Sequence, residues 1–212
     1  MTYTLRAFGQ DYDLLTEAAK SIVGVPGLTV EVGLHRGGGS KYIIDALVET
    51  NQKRTHIAID PYGQIPYPSD KKEDHNYDYH NEHKRQTMIA IHEYLQDKPD
   101  INFCLFVLED TEFFKRFRDG VPVYFNHTKE IVNQYALVYF DGPHTTSATL
   151  LEAEFFAERA PVGACFVFDD TNLSKDGTPA WYDHTKIREY LESHGWVVLR
   201  EGVTKMSYRK EH

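Results

Sequence analysis

The chain has 212 residues, 41% of them hydrophobic and 26% charged, with a formal net charge of −9. That length holds one domain with a full core and falls short of two, so residues 1–212 are read as a single domain. The acid excess repels a nucleic-acid backbone on average, no apolar run approaches the ~20 residues of a membrane span, and the opening MTYTLRAFGQ lacks a basic-then-apolar signal pattern; no nucleic-acid partner, no membrane association and a cytoplasmic location are expected.

In chain order, residues 1–27 carry a helix over Asp11–Val23. A strand over Leu28–Gly33 follows, then a glycine-rich turn and a helix over Ser40–Thr50. A second strand spans Thr55–Asp60. Pro61–Glu82 is a polar loop, long by the usual measure and a candidate lid, with Tyr62, Tyr67, Tyr77 and Tyr79 available to pack on a substrate ring. A helix over His83–Gln96 places Met88, Ile91 and Leu95 on one face. A strand over Ile101–Leu108 precedes a short helix, and Asp119–Gln134 reads as irregular. Next come a strand at Ala136–Asp141, a helix over Ser147–Arg159 with Ala148, Leu151 and Phe155 on one stripe, and a strand at Val162–Asp169. Thr178–His194 reads as a helix with Thr178 as cap, Pro179 in the first turn and Gly195 at its end. Trp196–Arg200 and Val203–Arg209 form a closing hairpin turning at Glu201-Gly202. The runs LTVEV, ALVYF and ACFVF are almost continuously apolar, as strands covered on both faces are. The alternation predicts an α/β fold, a mostly parallel sheet with helices on both faces. Cys104 and Cys165 sit in apolar runs and read as reduced, buried thiols.

Three motifs end strands. EVGLHRGGGS, Glu31 to Ser40, lies between a strand and a helix, where glycines allow close backbone approach and a helix N-terminus favours polar or anionic groups. It lacks the dinucleotide G-x-G-x-x-G spacing. HIAID ends at Asp60, where an acid can accept both ribose hydroxyls of a nucleoside cofactor. VYFDGPHTT and FVFDDT end in Asp141 and in Asp169-Asp170. If those strands are neighbours, the three carboxylates meet at one edge and repel by ~4 kcal/mol per pair at an effective dielectric near 20. A divalent cation removes that penalty, and Mg²⁺ prefers hard oxygen donors with waters and substrate oxygens. His144, held near the same edge by the Gly-Pro turn, suits a general base. His75, His80 and His83 could suggest zinc, but no cysteine or fourth ligand accompanies them.

Taken together, EVGLHRGGGS, AIDPYG, FDGPHTT and FVFDDT make the stretch from Leu28 to Tyr190 resemble the class I methyltransferases. The likeness is greatest to the metal-dependent macrolide sugar O-methyltransferase and cephalosporin-hydroxylase-like group. The resemblance implies a Rossmann-like fold, with a seven-stranded, mostly parallel sheet and a C-terminal antiparallel hairpin. It implies S-adenosylmethionine as cofactor, with Glu31, Gly33, Gly37, Ser40, Asp60 and Asp110 at its site; Asp110 follows Glu109 where the group more often has Gly-Asp. It also implies Mg²⁺ (or Mn²⁺) on Asp141, Asp169 and Asp170, with His144 and Asp141 catalytic. The expected activity is methylation of a hydroxyl on a small molecule, a sugar or glycoside. A catechol-like phenol acceptor and a non-catalytic S-adenosylmethionine-binding protein are the alternatives, and homo-oligomerisation is left open.

Overall fold

The computed structural model describes residues 3–65, 70, 79–125, 127–171 and 181–212. Helix α1 (Tyr12–Ser21) leads into β1 (Leu28–Val32), α2 (Gly38–Glu49) and β2 (Arg54–Ile59). Then come α3 (Asn81–Leu95), β3 (Ile101–Phe106), α4 (Asp110–Arg116), and the pair β4 (Val121–Phe125) and β5 (Thr128–Val132). The chain closes with β6 (Tyr135–Phe140), α5 (Thr146–Ala157), β7 (Cys165–Phe168), α6 (Thr185–Ser193), β8 (Trp196–Glu201) and β9 (Met206–Lys210).

The main sheet has seven strands in the order β3-β2-β1-β6-β7-β9-β8. Strands β1, β2, β3, β6 and β7 are parallel, and β9 runs antiparallel to both β7 and β8. This is the expected mostly parallel sheet with a closing hairpin. From β1 the chain steps outward to β2 and β3, then returns to β6 on the other side. Loops leaving β1 and β6 therefore diverge and open a crevice at the carboxyl ends of the strands.

Every residue of β1, β6 and β7 is buried. Alternation divides them between two cores. Val30, Val138, Phe140, Phe166 and Phe168 join Phe156, Ile187 and Leu191 of α5 and α6 on one face. Leu137, Tyr139 and Val167 join Leu15, Ala18, Ile43 and Leu47 of α1 and α2 on the other.

The structure corrects several boundaries. Asp119–Gln134, expected irregular, contains the β4–β5 hairpin, which stands apart from the main sheet. Its β5 run TKEIV is almost wholly exposed, and Pro122 interrupts β4, so neither strand writes a two-residue apolar alternation. The last helix is described only from Thr185; the expected cap at Thr178 and Pro179 lies outside the described residues. Asp183 Oδ1 accepts the Thr185 N–H at 3.0 Å, satisfying one first-turn donor there. On α5 the buried stripe is Thr149, Glu152, Ala153, Phe156 and Ala157, one position on from the expected Ala148, Leu151 and Phe155. Leu151 is 45% exposed and Met88 of α3, also expected inside, is 51% exposed. The run SATLLEAEFFA is apolar nearly all round, so its periodicity does not choose a face.

The rotated stripe has a measurable consequence. Phe156→Ala is expected to cost roughly 3–5 kcal/mol, whereas Leu151→Ala stays within ~1 kcal/mol. Urea unfolding of the two variants checks the assignment, and the reverse order would restore the stripe read from the sequence.

Candidate active site

The Gly-rich turn joins β1 to α2 and is shaped by the protein's own backbone. Gly33 has φ of 88°, and a Cβ there would overlap the Asp141 carbonyl of the neighbouring strand end. A methyl group at Gly39 would collide with the Glu31 carboxyl and the Tyr139 ring. The triple glycine is thus the start of a helix pressed onto a sheet, not a slack loop.

Beyond the ends of β1 and β2 lies a cavity of about 240 Å³, bordered by Gly33, Asp60, Tyr62, Tyr79, Asp110 and Pro143. Asp60 is 3% exposed. Its Oδ2 accepts the His35 N–H at 2.8 Å and its Oδ1 accepts the Tyr62 N–H at 2.8 Å. The Leu34 N–H is a further backbone partner, and the carboxylate retains accepting capacity for another donor. Burial raises its carboxyl above the ordinary range, against those bonds. His35 and Tyr62 both have positive φ, 45° and 51°, a costly geometry for side-chain-bearing residues. Tyr62 is buried beneath the cavity, and its hydroxyl donates to the His35 carbonyl at 2.8 Å, so it is a floor residue rather than part of a lid. Tyr67 and Tyr77 lie outside the described residues. Asp110 opens α4 at the cavity wall. Behind it, Glu152 is 1% exposed, and burial first, then the Asp110 charge, pushes its carboxyl well above the usual range.

A chain of buried polar groups runs under the turn. Ser40 N–H donates to Glu31 Oε2 at 2.8 Å, and the Ser40 hydroxyl donates to the same oxygen. Ser40 Oγ lies 2.8 Å from His56 Nε2, and His56 Nδ1 lies 2.9 Å from Thr29 Oγ1. Burial pushes the His56 imidazole down to about 3 and the Glu31 carboxyl up to about 8, the latter against the Ser40 bonds.

A second cavity, of about 480 Å³, adjoins the acids. Glu31, Asp141, His144, Asp169, Asp170 and Trp181 all border it. Phe140 of β6 pairs with Phe168 of β7, so Asp141 and Asp169 leave adjacent strands side by side. Tyr139 Oη lies 2.7 Å from Asp169 Oδ2 and 3.1 Å from Asp141 Oδ2, and its single proton reaches one of them at a time. Burial, then the Asp169 charge, raises the Asp141 carboxyl well above its usual range, while Lys205 pulls the other way. The Lys205 side chain is fully buried, and its Nζ is 2.6 Å from Asp169 Oδ2. No acceptor is aligned for a hydrogen bond from that ammonium among the described residues, and it sits over the Tyr12 ring at 4.3 Å from its centroid. Asp170 has φ of 54° and its N–H donates to Asp169 Oδ1 at 2.9 Å. Its Oδ2 is 3.7 Å from His144 Nε2, and the Trp181 ring lies 5.3 Å from the imidazole.

The polar loop meets this site at Asp70. Its N–H donates to the His144 carbonyl at 3.2 Å, and its Oδ2 accepts both Thr146 N–H and hydroxyl at 2.7 Å. A carboxylate there complements the N-terminus of α5. His80 and His83 stack at 4.2 Å, with Arg36 Nη2 donating to His83 Nε2 at 3.0 Å, an arrangement that does not suit zinc. His75 lies outside the described residues.

The structure brings Glu31, Asp141, His144, Asp169 and Asp170 to one cavity and Gly33, Asp60 and Asp110 to its neighbour. Gly37 and Ser40 serve the turn: Gly37 caps α2 at φ of 72°, and Ser40 holds Glu31. Lys205, Tyr139 and Glu152 escape sequence reasoning. A lone Lys in VTKMSY carries no motif, and Tyr139 reads as one more apolar strand residue.

Residues 30–171 match the family described as methyltransferase domain. The fold is that of a class I methyltransferase, and the chain belongs to the methyltransferase-domain family. Among solved structures it is similar to the O-methyltransferase NovP, at 18% identity and TM-score 0.58 over 95% of this chain and 79% of that one. It is similar to CalS11, a calicheamicin methyltransferase, at 14% identity and TM-score 0.64 over 94% and 78%; CalS11 is also described as a TDP-rhamnose 3'-O-methyltransferase. TomG from Streptomyces achromogenes, an O-methyltransferase solved with S-adenosylmethionine, is similar at 13% identity and TM-score 0.53 over 98% and 82%. A comparison with curated proteins gives no match. Among the described residues no helix is long and apolar enough to cross a membrane.

The buried charges make stability depend on pH in a defined direction. Glu31 binds a proton in the folded state up to about pH 8 but only up to the ordinary carboxyl value of 4.5 when unfolded. It therefore opposes folding increasingly as pH rises through that window, by at most ~1.4 kcal/mol per pH unit. The stability of wild type relative to Glu31→Gln should fall with pH between those limits in chemical denaturation; a flat difference would mean Glu31 ionises normally. Lys205→Met should destabilise the fold by ~3–5 kcal/mol near pH 8 by leaving Asp169 unpaired. The loss should shrink as the pH is lowered, the direction in which the raised Asp141 carboxyl takes up a proton and the negative charge facing Lys205 falls. A variant as stable as wild type at pH 8 would remove Lys205 as the counter-charge.

Proposed function

We propose that this chain is an S-adenosylmethionine-dependent O-methyltransferase acting on a hydroxyl of a small molecule, a sugar or glycoside. The observation that carries this reading is the meeting of Asp141, Asp169 and Asp170 with His144 in one cavity, beside a second cavity closed by Gly33 and Asp60. NovP, CalS11 and TomG, the O-methyltransferases of similar fold, support an oxygen acceptor, and the CalS11 rhamnose supports a sugar.

Each residue has a role in this reading. Asp60 would accept ribose hydroxyls with its remaining lone pairs, and Asp110 faces the base end of the same cavity. Glu31 lies at the join with the acidic cavity, where the sulfonium and ammonium charges of the cofactor favour a carboxylate. His144 takes the proton of the acceptor hydroxyl at Nε2, and Asp170 at 3.7 Å stabilises the imidazolium that results. Trp181 beside the ring limits water access. Holding the hydroxyl in line with the methyl group supplies much of the acceleration.

The donor set also fits a divalent cation. Among the described residues no three His, Cys, Asp or Glu side chains enclose an ion, but Mg²⁺ commonly uses one or two carboxylates together with water and substrate oxygens. Asp141 and Asp170 are the more available donors, because Asp169 Oδ2 already meets Lys205 and Tyr139. Mg²⁺ (or Mn²⁺) on Asp141, Asp169 and Asp170 would supply Lewis acidity that lowers the pKa of the hydroxyl.

Methyl transfer to glycosides, measured as S-adenosylhomocysteine formed, tests the reading. Activity should vanish in excess EDTA and return with Mg²⁺ or Mn²⁺. Asp141→Asn should lose most turnover with cofactor still bound, and His144→Ala should lower kcat by ~10²–10⁴-fold. Full activity in EDTA removes the metal, turnover on catechols alone removes the sugar, and cofactor binding without transfer to any hydroxyl removes the enzyme.

A further inference from the structure

We infer that a separate anion pocket beside the acceptor cavity binds a phosphoryl group carried by the acceptor, so that the substrate is a sugar phosphate or a nucleoside-diphosphate sugar. This rests on the hydroxyl-acceptor reading above. The pocket has about 100 Å³, room for one tetrahedral oxyanion. Its walls carry the hydroxyls of Tyr3, Thr4 and Thr87, the guanidiniums of Arg6 and Arg36 and the His83 ring, and no lining residue is acidic. In a chain of net charge −9, that donor-rich, acid-free lining stands out.

The fold builds this pocket. The N-terminal segment lies along the cofactor turn, Arg6 N–H donating to the Arg36 carbonyl at 3.2 Å and Arg6 bridging to Gly37. Any side chain at Gly38 would overlap the backbone of Arg6 and Ala7, so the glycine lets the segment seat. Helix α3 supplies the opposite wall with His83 and Thr87. Arg36 is half-buried, and its Nε is fully buried with no hydrogen-bond partner among the described residues. Neighbouring Arg85 is neutralised by Glu82 at 2.6 Å, whereas Arg6 and Arg36 have no carboxylate within 4.0 Å among the described residues. A guanidinium fork matches phosphate oxygens two at a time. Arg6 and Arg36 also border the acceptor cavity, so an anion held between them adjoins a hydroxyl placed at Asp141 and His144.

The carboxylate of the cofactor's methionine is the other anion within range of this turn, and the test separates the two. Inorganic phosphate is titrated calorimetrically into protein saturated with S-adenosylhomocysteine. Binding is expected, weakened at least tenfold in Arg6→Gln. Glucose 1-phosphate should then exceed glucose as methyl acceptor in kcat/KM at least tenfold, and Arg6→Gln should erase that preference. Phosphate that binds only without S-adenosylhomocysteine assigns the guanidiniums to the methionine carboxylate and overturns the proposal. Absence of phosphate binding, or equal use of the two acceptors, overturns it as well. Transfer to no hydroxyl at all defeats the methyltransferase reading instead, and the phosphate titration still decides the pocket.

Discussion

The ion pair of Lys205 with Asp169 is the constraint on which the acidic edge of the sheet depends. Parallel strands β6 and β7 end side by side, and each ends in an acid. Two carboxylates ~5 Å apart repel by ~3 kcal/mol at an effective dielectric near 20, before any desolvation is counted. Burial and the Asp169 charge both raise the Asp141 carboxyl above its usual range. A cation from the protein must be delivered to the same edge. Strand β9 does this because it runs antiparallel to β7: Met206 pairs with Phe168, so the residue before Met206 faces the residue after Phe168. A parallel strand would bring its last residue there, and its first would lie at the opposite edge. The closing hairpin is therefore an electrostatic device as well as a sheet edge.

The same economy governs the glycine-rich turn. Its glycines are required by the protein before any ligand arrives, Gly33 by the Asp141 carbonyl and Gly39 by Glu31 and Tyr139. Glu31 in turn is held by Ser40, and Ser40 by His56. Burying such a network is costly unless each member is satisfied. A satisfied network fixes the carboxyl at the border of the acidic cavity with little freedom.

Much of this was legible in the sequence, and the rest was hidden for physical reasons. Strand-end acids were readable because an apolar run that stops at Asp marks the carboxyl edge of a covered strand, and neighbouring β6 and β7 did bring Asp141 and Asp169 together. The turn at Glu31–Ser40 was readable from strand, glycine and helix in succession. The β4–β5 hairpin was not, because β5 is almost wholly exposed and Pro122 interrupts the short run of β4. The face of α5 was not, because an all-round apolar helix gives no moment, and Glu152 went unseen with it. Lys205 was beyond reach for another reason: its role depends on a register between two strands nearly forty residues apart, and nothing local in VTKMSY encodes that pairing.

Charge in the large cavity is segregated, and this bears on what can enter it. Asp141, Asp169 and Asp170 occupy the wall made by β6 and β7, and Arg6 and Arg36 occupy the wall made by the N-terminal segment and the turn. A neutral polyol would feel no net pull between the walls. An acceptor with an anion at one end and a hydroxyl at the other would be oriented by them. At ~6 Å and an effective dielectric near 20, attraction to one guanidinium is worth ~3 kcal/mol, enough to favour one orientation over its reverse by about a hundredfold. The acids would repel the anion from their wall while they attract the sulfonium of the cofactor. On the proposed reading, opposed charges would align both reactants on one axis and leave the hydroxyl end facing His144.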